Sequence, residues 1–178
     1  RHHPIISKIK KDIENKKYGK IFHIEINCFS NVLTWRKKSS KNFMSINKSL
    51  GGGVLRELSH EIDLLLYLKN DFNKLNAKVT YSKIFKNKID TIANINIFNQ
   101  SVTATIKLNM ISEFEKRDVI IYTDKMNIYA DLLNNVLSAY SNNKVRKIIF
   151  KSSMEKLYKN QMNDFLNNFN ALNKIREN

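Results

Sequence analysis

A chain of 178 residues, 42% of them hydrophobic and 10% aromatic, has enough apolar material for one globular core and too much for a disordered tail. The net charge of +15 raises nucleic-acid binding. However, the twelve Lys and Arg of residues 1–50, set against three acids, are spread over helix, loop and strand without an Arg-rich cluster, as on a solvated face. Every apolar run is interrupted well short of the ~20 residues that span a bilayer. Arg1-His2-His3-Pro4 lacks the apolar core of a signal peptide, and a single cysteine, Cys28, cannot form an internal disulfide. These features fit a reducing cytoplasm. With no initiator Met, the chain is expected to begin partway through a longer polypeptide.

Pro4 suits the first position of a helix, and Ile5, Ile6, Ile9 and Ile13 follow at helical spacing, with Gly19 as its terminator. In residues 20–28, Phe22, Ile24, Ile26 and Cys28 alternate with His23, Glu25 and Asn27, the pattern of a half-buried strand. Residues 30–50 show no period, contain the only tryptophan, Trp35, and read as a long loop. Gly51-Gly52-Gly53 opens a helix through about Leu68, with Leu55, Leu58, Ile62, Leu65 and Leu66 as its apolar face. The period then falls to two, and strands are predicted near 75–85, 91–98, 102–110, 117–123, 126–132, 135–140 and 145–150. Asn99-Gln100-Ser101 is short enough for a hairpin. A closing helix over about 153–174 carries Met154, Leu157, Tyr158, Met162, Phe165, Leu166 and Phe169 on its expected inner side. The fold class is α+β: one open, mostly antiparallel sheet with helices on one face, in a single domain spanning residues 1–178.

Three consecutive glycines are entropically costly. They suit either close approach of the backbone to a ligand or a tight turn under a packed neighbour. Glu57 and His60, three apart, are neighbours on one helical face. A carboxylate beside an imidazole suits a proton shuttle, and equally a structural hydrogen bond. Helical zinc sites place two histidines at i and i+4; only one histidine lies here, so no metal site is expected.

The segment Gly51-Gly52-Gly53-Val54-Leu55-Arg56-Glu57-Leu58-Ser59-His60-Glu61-Ile62-Asp63 resembles the GGG-x-L-x-D-x-x-HE-x-D stretch of the Gfo/Idh/MocA oxidoreductases, the glucose–fructose oxidoreductase and inositol dehydrogenase family. Arg1-His2-His3-Pro4, Tyr18-Gly19-Lys20-Ile21, Asp90-Thr91-Ile92-Ala93, Arg117-Asp118-Val119-Ile120-Ile121-Tyr122 and the run from Tyr158 to Leu166 are similar to further parts of that family's second domain, in the right order. The resemblance implies a glyceraldehyde-3-phosphate dehydrogenase-like C-terminal domain that binds a sugar, sugar-nucleotide or inositol substrate. It also implies NAD or NADP in the intact enzyme, bound by an N-terminal Rossmann domain absent from this chain. His60 takes the place of the family's acid/base, supported by Glu57 or Asp63, while Trp35, Arg36 and Gly51–Gly53 fall at substrate-binding positions. Glu57 stands where the family has Asp, and Trp35-Arg36 keeps half of a Trp-Pro feature. The only glycines are Gly19 and Gly51–Gly53, so no G-x-G-x-x-G fingerprint exists; the chain alone is expected to be inactive and to bind no cofactor. The alternative readings are a non-catalytic homo-oligomerisation domain, whose second sheet face is expected to carry Ile95, Ile97, Val102 and Ile106, and, weakest, a nucleic-acid-binding domain.

Overall fold

The computed structural model describes residues 1–35, 44–82, 84–85, 88–151 and 154–176. Helix α1 (Pro4–Glu14) begins as its proline suggests: His3 is the N-cap, and its side chain accepts the Ile5 amide hydrogen. Ile5, Ile6 and Ile9 are buried, and Gly19 follows with a positive φ of 86°. Strand β1 (Ile21–Asn31) comes next, and then, beyond three short 3-10 turns, helices α2 (Val54–Glu57) and α3 (Ser59–Leu68). The remaining strands are β2 (Lys74–Tyr81), β3 (Asp90–Phe98), β4 (Thr103–Asn109), β5 (Ile111–Thr123), β6 (Asn127–Asp131), β7 (Val136–Ser141) and β8 (Lys144–Ile149), and helix α4 (Met154–Arg176) closes the chain.

All eight strands form one open sheet in the order β2-β3-β4-β1-β5-β6-β7-β8. Every neighbouring pair is antiparallel except β1 with β4, so the α+β, mostly antiparallel expectation describes the molecule. The β3–β4 hairpin is closed by Asn99, whose side-chain oxygen accepts from the Ser101 and Val102 amides at 2.8 Å each. One sheet face is covered. Ile24, Ile26, Ala104, Ile106, Val119 and Ile121 on that face meet Ile5, Ile9, Val54, Leu58 and Leu65 of the helices in the core.

Three expectations need correction. The single helix over 53–68 is two helices, broken at Leu58 (φ −107°, ψ 21°). The break moves the buried stripe to Leu58, Leu64, Leu65 and Leu68 and leaves Leu66 exposed. Ile95, Ile97, Val102 and Ile106 are all buried in the core and do not form a second apolar face; the strand phase places Asn94 and Asn96 outward instead. Finally, Tyr158, Met162, Phe165, Leu166 and Phe169 of α4 are exposed. A stripe at helical spacing shows that a face is apolar, not what covers it.

Asp12 ties α1 to the turn that follows. Its buried carboxylate accepts from the Tyr18 hydroxyl at 2.8 Å and pairs with Lys8 and Lys17. Burial pushes this carboxyl up, but the Lys8 and Tyr18 hydrogen bonds and the lysine charges more than offset that and hold it below its usual value. A depressed folded-state pKa adds stability above the unfolded value of ~3.9, and the gain is lost as pH falls through the folded value. Asp12→Asn is therefore expected to lower unfolding free energy at pH 7 by about 1–3 kcal/mol. The gap to wild type should narrow below about pH 4, as read from urea melts at both pH values; a gap that widens in acid refutes the assignment.

Candidate active site

The glycine run is shaped by packing. Gly51, at φ 91°, ends the 3-10 turn Lys48–Leu50 in the left-handed region. A Cβ on Gly52 would lie 2.4 Å from the Met44 carbonyl oxygen, and one on Gly53, at φ 130°, would lie 2.2 Å from Asp90 Oδ1. Asp90 Oδ2 accepts the Leu55 amide hydrogen at 2.9 Å, so a side chain from β3 supplies the cap that a small polar residue at position 53 would have given. Of the two readings of this motif, the tight turn under a packed neighbour accounts for the backbone seen here.

The break at Leu58 restarts the helix at Ser59 and brings His60 and Glu61 into its first turn. Glu61 is 0% exposed, yet His60 remains 51% exposed at its side chain. His60 Nε2 lies 3.1 Å from Glu61 Oε1, and Arg117 Nε donates to the same oxygen at 2.7 Å. Burial pushes the Glu61 carboxyl up, but the His60 hydrogen bond and the Arg117 charge hold it below the usual carboxylate range. Cys28 of β1, 6% exposed, adjoins this group; burial and then the Glu61 charge push its thiol up to about 12, so it is a neutral thiol at pH 7. The result is a solvent-facing imidazole standing on a buried carboxylate that Arg117 also holds.

The other expected site residues lie around this point without all converging on it. Glu57 is half-buried at the end of α2 and, among the described residues, forms no ion pair. Asp63 is exposed on α3 and is held by Arg1, whose Nε and Nη2 donate at 2.9 and 2.5 Å; that hydrogen bond lowers its carboxyl pKa. Trp35 caps the 3-10 turn Val32–Thr34 and packs, partly buried, on the core, as an anchor does. Arg36 lies outside the described residues. A cavity of ≈ 550 Å³ is lined by Arg1, His3, Asp63, Arg117, Leu132 and Tyr158 among others, so Asp63 and Arg117 share one concave surface. Burial, followed by the Arg117 charge, lowers the pKa of His3 in this cavity.

Glu61, Arg117 and Cys28 were not among the expected site residues, although two of them left a signal. Arg117 and Cys28 fall in strand phase with Val119 and Ile121 and with Ile24 and Ile26, the core-facing residues. A cation in that phase requires a buried acceptor.

Comparison with known proteins adds the family. The GFO/IDH/MocA C-terminal domain family matches residues 6–129. Among solved structures, levoglucosan dehydrogenase in complex with NADH is 18% identical at a TM-score of 0.71, covering 84% of this chain and 45% of that one. An inositol dehydrogenase homolog complexed with NAD+ from Azotobacter vinelandii is 11% identical at a TM-score of 0.70, covering 86% and 42%. UDP-N-acetylglucosamine 3-dehydrogenase GnnA from Acidithiobacillus ferrooxidans is 16% identical at 0.68, covering 93% and 51%. At these identities the likeness is one of fold, and the chain spans half or less of the length of most of these proteins. A curated protein, the HTH-type transcriptional activator CfaD of Escherichia coli, is 24% identical over 131 residues, 64% of this chain and 49% of that protein, too low an identity to assign kinship. With the family matched over most of its length, the chain belongs to the GFO/IDH/MocA C-terminal domain family.

Proposed function

We propose that this chain is the substrate-binding half of an NAD(P)-dependent dehydrogenase acting on a sugar, sugar nucleotide or inositol, with His60 as the acid/base. The observation that carries the reading is the half-exposed imidazole fixed from below by the buried Glu61 carboxylate. Its support is that structures of the same fold are named as inositol, levoglucosan and UDP-N-acetylglucosamine dehydrogenases, two of them with NAD+ or NADH. A nicotinamide supplies hydride chemistry when bound, but this chain's own residues do not fit it: there is no G-x-G-x-x-G phosphate turn, and α2, four residues long, has its Leu55 amide committed to Asp90. The cofactor is assigned to a separate dinucleotide-binding domain.

What this chain does is bind the substrate and move a proton. In the oxidative direction His60 accepts the proton of a substrate hydroxyl as its carbon is oxidised, and Glu61 holds the ring in place. Asp63 and Arg1, at the rim of the adjoining cavity, are placed to orient further hydroxyls. Glu57 is left as a neighbour at the end of α2. A reducing cytoplasm suits the single buried thiol, and no described helix is long and apolar enough to cross a membrane.

Self-association through the outer sheet face is the second proposal. Phe114, Tyr140, Val145 and Ile149 are exposed there among polar residues, and such faces favour a like partner. Sedimentation velocity of the chain should show a dimer or larger species that Val145→Lys shifts towards monomer; a chain monomeric at every concentration ends that proposal. For the catalytic reading, His60→Ala in a protein that joins this chain to its dinucleotide-binding domain should lower turnover ~10²–10⁴-fold while substrate KM moves less. Unchanged turnover removes His60 from the mechanism. The isolated chain should leave NADH fluorescence unaltered in a titration, and saturable binding would refute the assignment of the cofactor to another domain.

A further inference from the structure

Folding brings a third donor to His60 and Glu61. Cys28 Sγ, a ring nitrogen of His60 and a carboxylate oxygen of Glu61 all lie within 4.8 Å of one another. Cys28 and Glu61 are buried and the imidazole is half in solvent, so the group is closed on the protein side and open on one other. The 3.1 Å between His60 Nε2 and Glu61 Oε1 is close to the ~3.3 Å that two ~2.0 Å metal–ligand bonds subtend at a tetrahedral angle. Glu61 Oε2 is sealed from solvent with no nitrogen or oxygen donor on it among the described residues and only the Cys28 thiol beside it, a costly state that a bound cation would relieve. Arg117, donating to Oε1 at 2.7 Å, makes the kind of outer contact that orients a ligating carboxylate.

We propose that Cys28, His60 and Glu61 form a binding site for one zinc-class divalent cation, with solvent at the fourth position. One thiolate, one imidazole and one carboxylate are a soft-to-borderline set that selects Zn²⁺ over Mg²⁺ or Ca²⁺, which need a shell of oxygens. As the sulfur–metal bond forms, the Cys28 S–H bond breaks and its proton leaves to solvent; no electron is transferred. Thiolate and carboxylate together match the charge of the dication, and Arg117 keeps its own charge at the solvent edge. The His60 lone pair is then committed to the metal, so an occupied site excludes proton exchange by His60 and acts as a point of inhibition. The absence of a second helical histidine does not bear on this set, because its third ligand comes from the sheet.

Metal binding at the site is independent of the dehydrogenase reading, and only its inhibitory effect rests on that reading: direct metal binding tests one and turnover of the His60 variant tests the other. The test titrates Co²⁺ into the reduced 178-residue chain and follows the thiolate-to-cobalt charge-transfer absorption. Cys28 is the only cysteine, so that band has one source. The expected result is a band that saturates at one equivalent, is displaced by Zn²⁺ and not by Mg²⁺, is absent in Cys28→Ser, and needs at least ~10-fold more Co²⁺ in His60→Ala. Should a variant fail to fold by circular dichroism, the one-equivalent band in the unaltered chain and its displacement by Zn²⁺ decide instead, since the sulfur can only be that of Cys28. Cobalt bound without the band (at His2 and His3, for instance), a band indifferent to His60→Ala, or a band that Zn²⁺ does not displace overturns the proposal.

Discussion

A carboxylate with no exposed surface is tolerable in a protein only if cations and donors reach it, since its desolvation costs several kcal/mol. Glu61 meets that condition through Arg117, which the antiparallel register of β1 and β5 sets opposite Cys28 on the covered face of the sheet. The pairing constrains the fold as well as the site. Helix α3 can dock on the sheet only in the rotation that brings position 61 to Arg117, and that rotation leaves position 60 at the surface beside it. A shift of α3 by one residue would exchange a core leucine for a charge. The exposure of His60 is therefore a consequence of where the neighbouring carboxylate has to go.

The same logic separates what was legible in the sequence from what was not. Alternation in residues 91–98 separates Thr91, Ala93, Ile95 and Ile97 from their neighbours but does not say which face is covered: Ile95 and Ile97 were expected on the outer face, and all four are buried. The start of β5 was missed because Glu113, Glu115 and Lys116 blur the alternation where the strand is not packed on both faces. His60 was legible as part of a recognisable run; its partner was not. The rule that helical neighbours sit three or four apart pointed to Glu57, but the helix stops at Leu58 and begins again. In a first turn, adjacent side chains can meet, as His60 Nε2 and Glu61 Oε1 do at 3.1 Å, with Arg117 donating to the same oxygen. No periodicity in the leucines shows that break, because apolar residues continue on both sides of it.

Rigidity around the site comes from long-range contacts rather than from the helices themselves. Helix α2 is only four residues long, too short to be stable alone. It exists because Asp90, arriving from β3, caps it, and because Gly52 and Gly53 let the backbone pass close to residues 44–45 and to Asp90. The triple glycine thus acts on His60 indirectly, by fixing where α3 begins. Any side chain at 52 or 53 would displace the start of that helix, and with it the registry between Glu61 and Arg117.

The electrostatics of the adjoining cavity then bear on what it can hold. The chain as a whole is strongly basic, yet Arg1 is neutralised by Asp63 and Arg117 by Glu61. Burial, with the Arg117 charge behind it, also favours the neutral form of His3. The cavity therefore offers many hydrogen-bond donors and acceptors with little net charge. A polyanion would gain little there, because each guanidinium it met would first have to give up a carboxylate. An uncharged, hydroxyl-rich ring meets no such cost: its hydroxyls can donate to Asp63 and accept from Arg1 without breaking either pair. The total charge of +15 argues for a nucleic-acid partner only if it is concentrated where a ligand would sit, and at this cavity it is not.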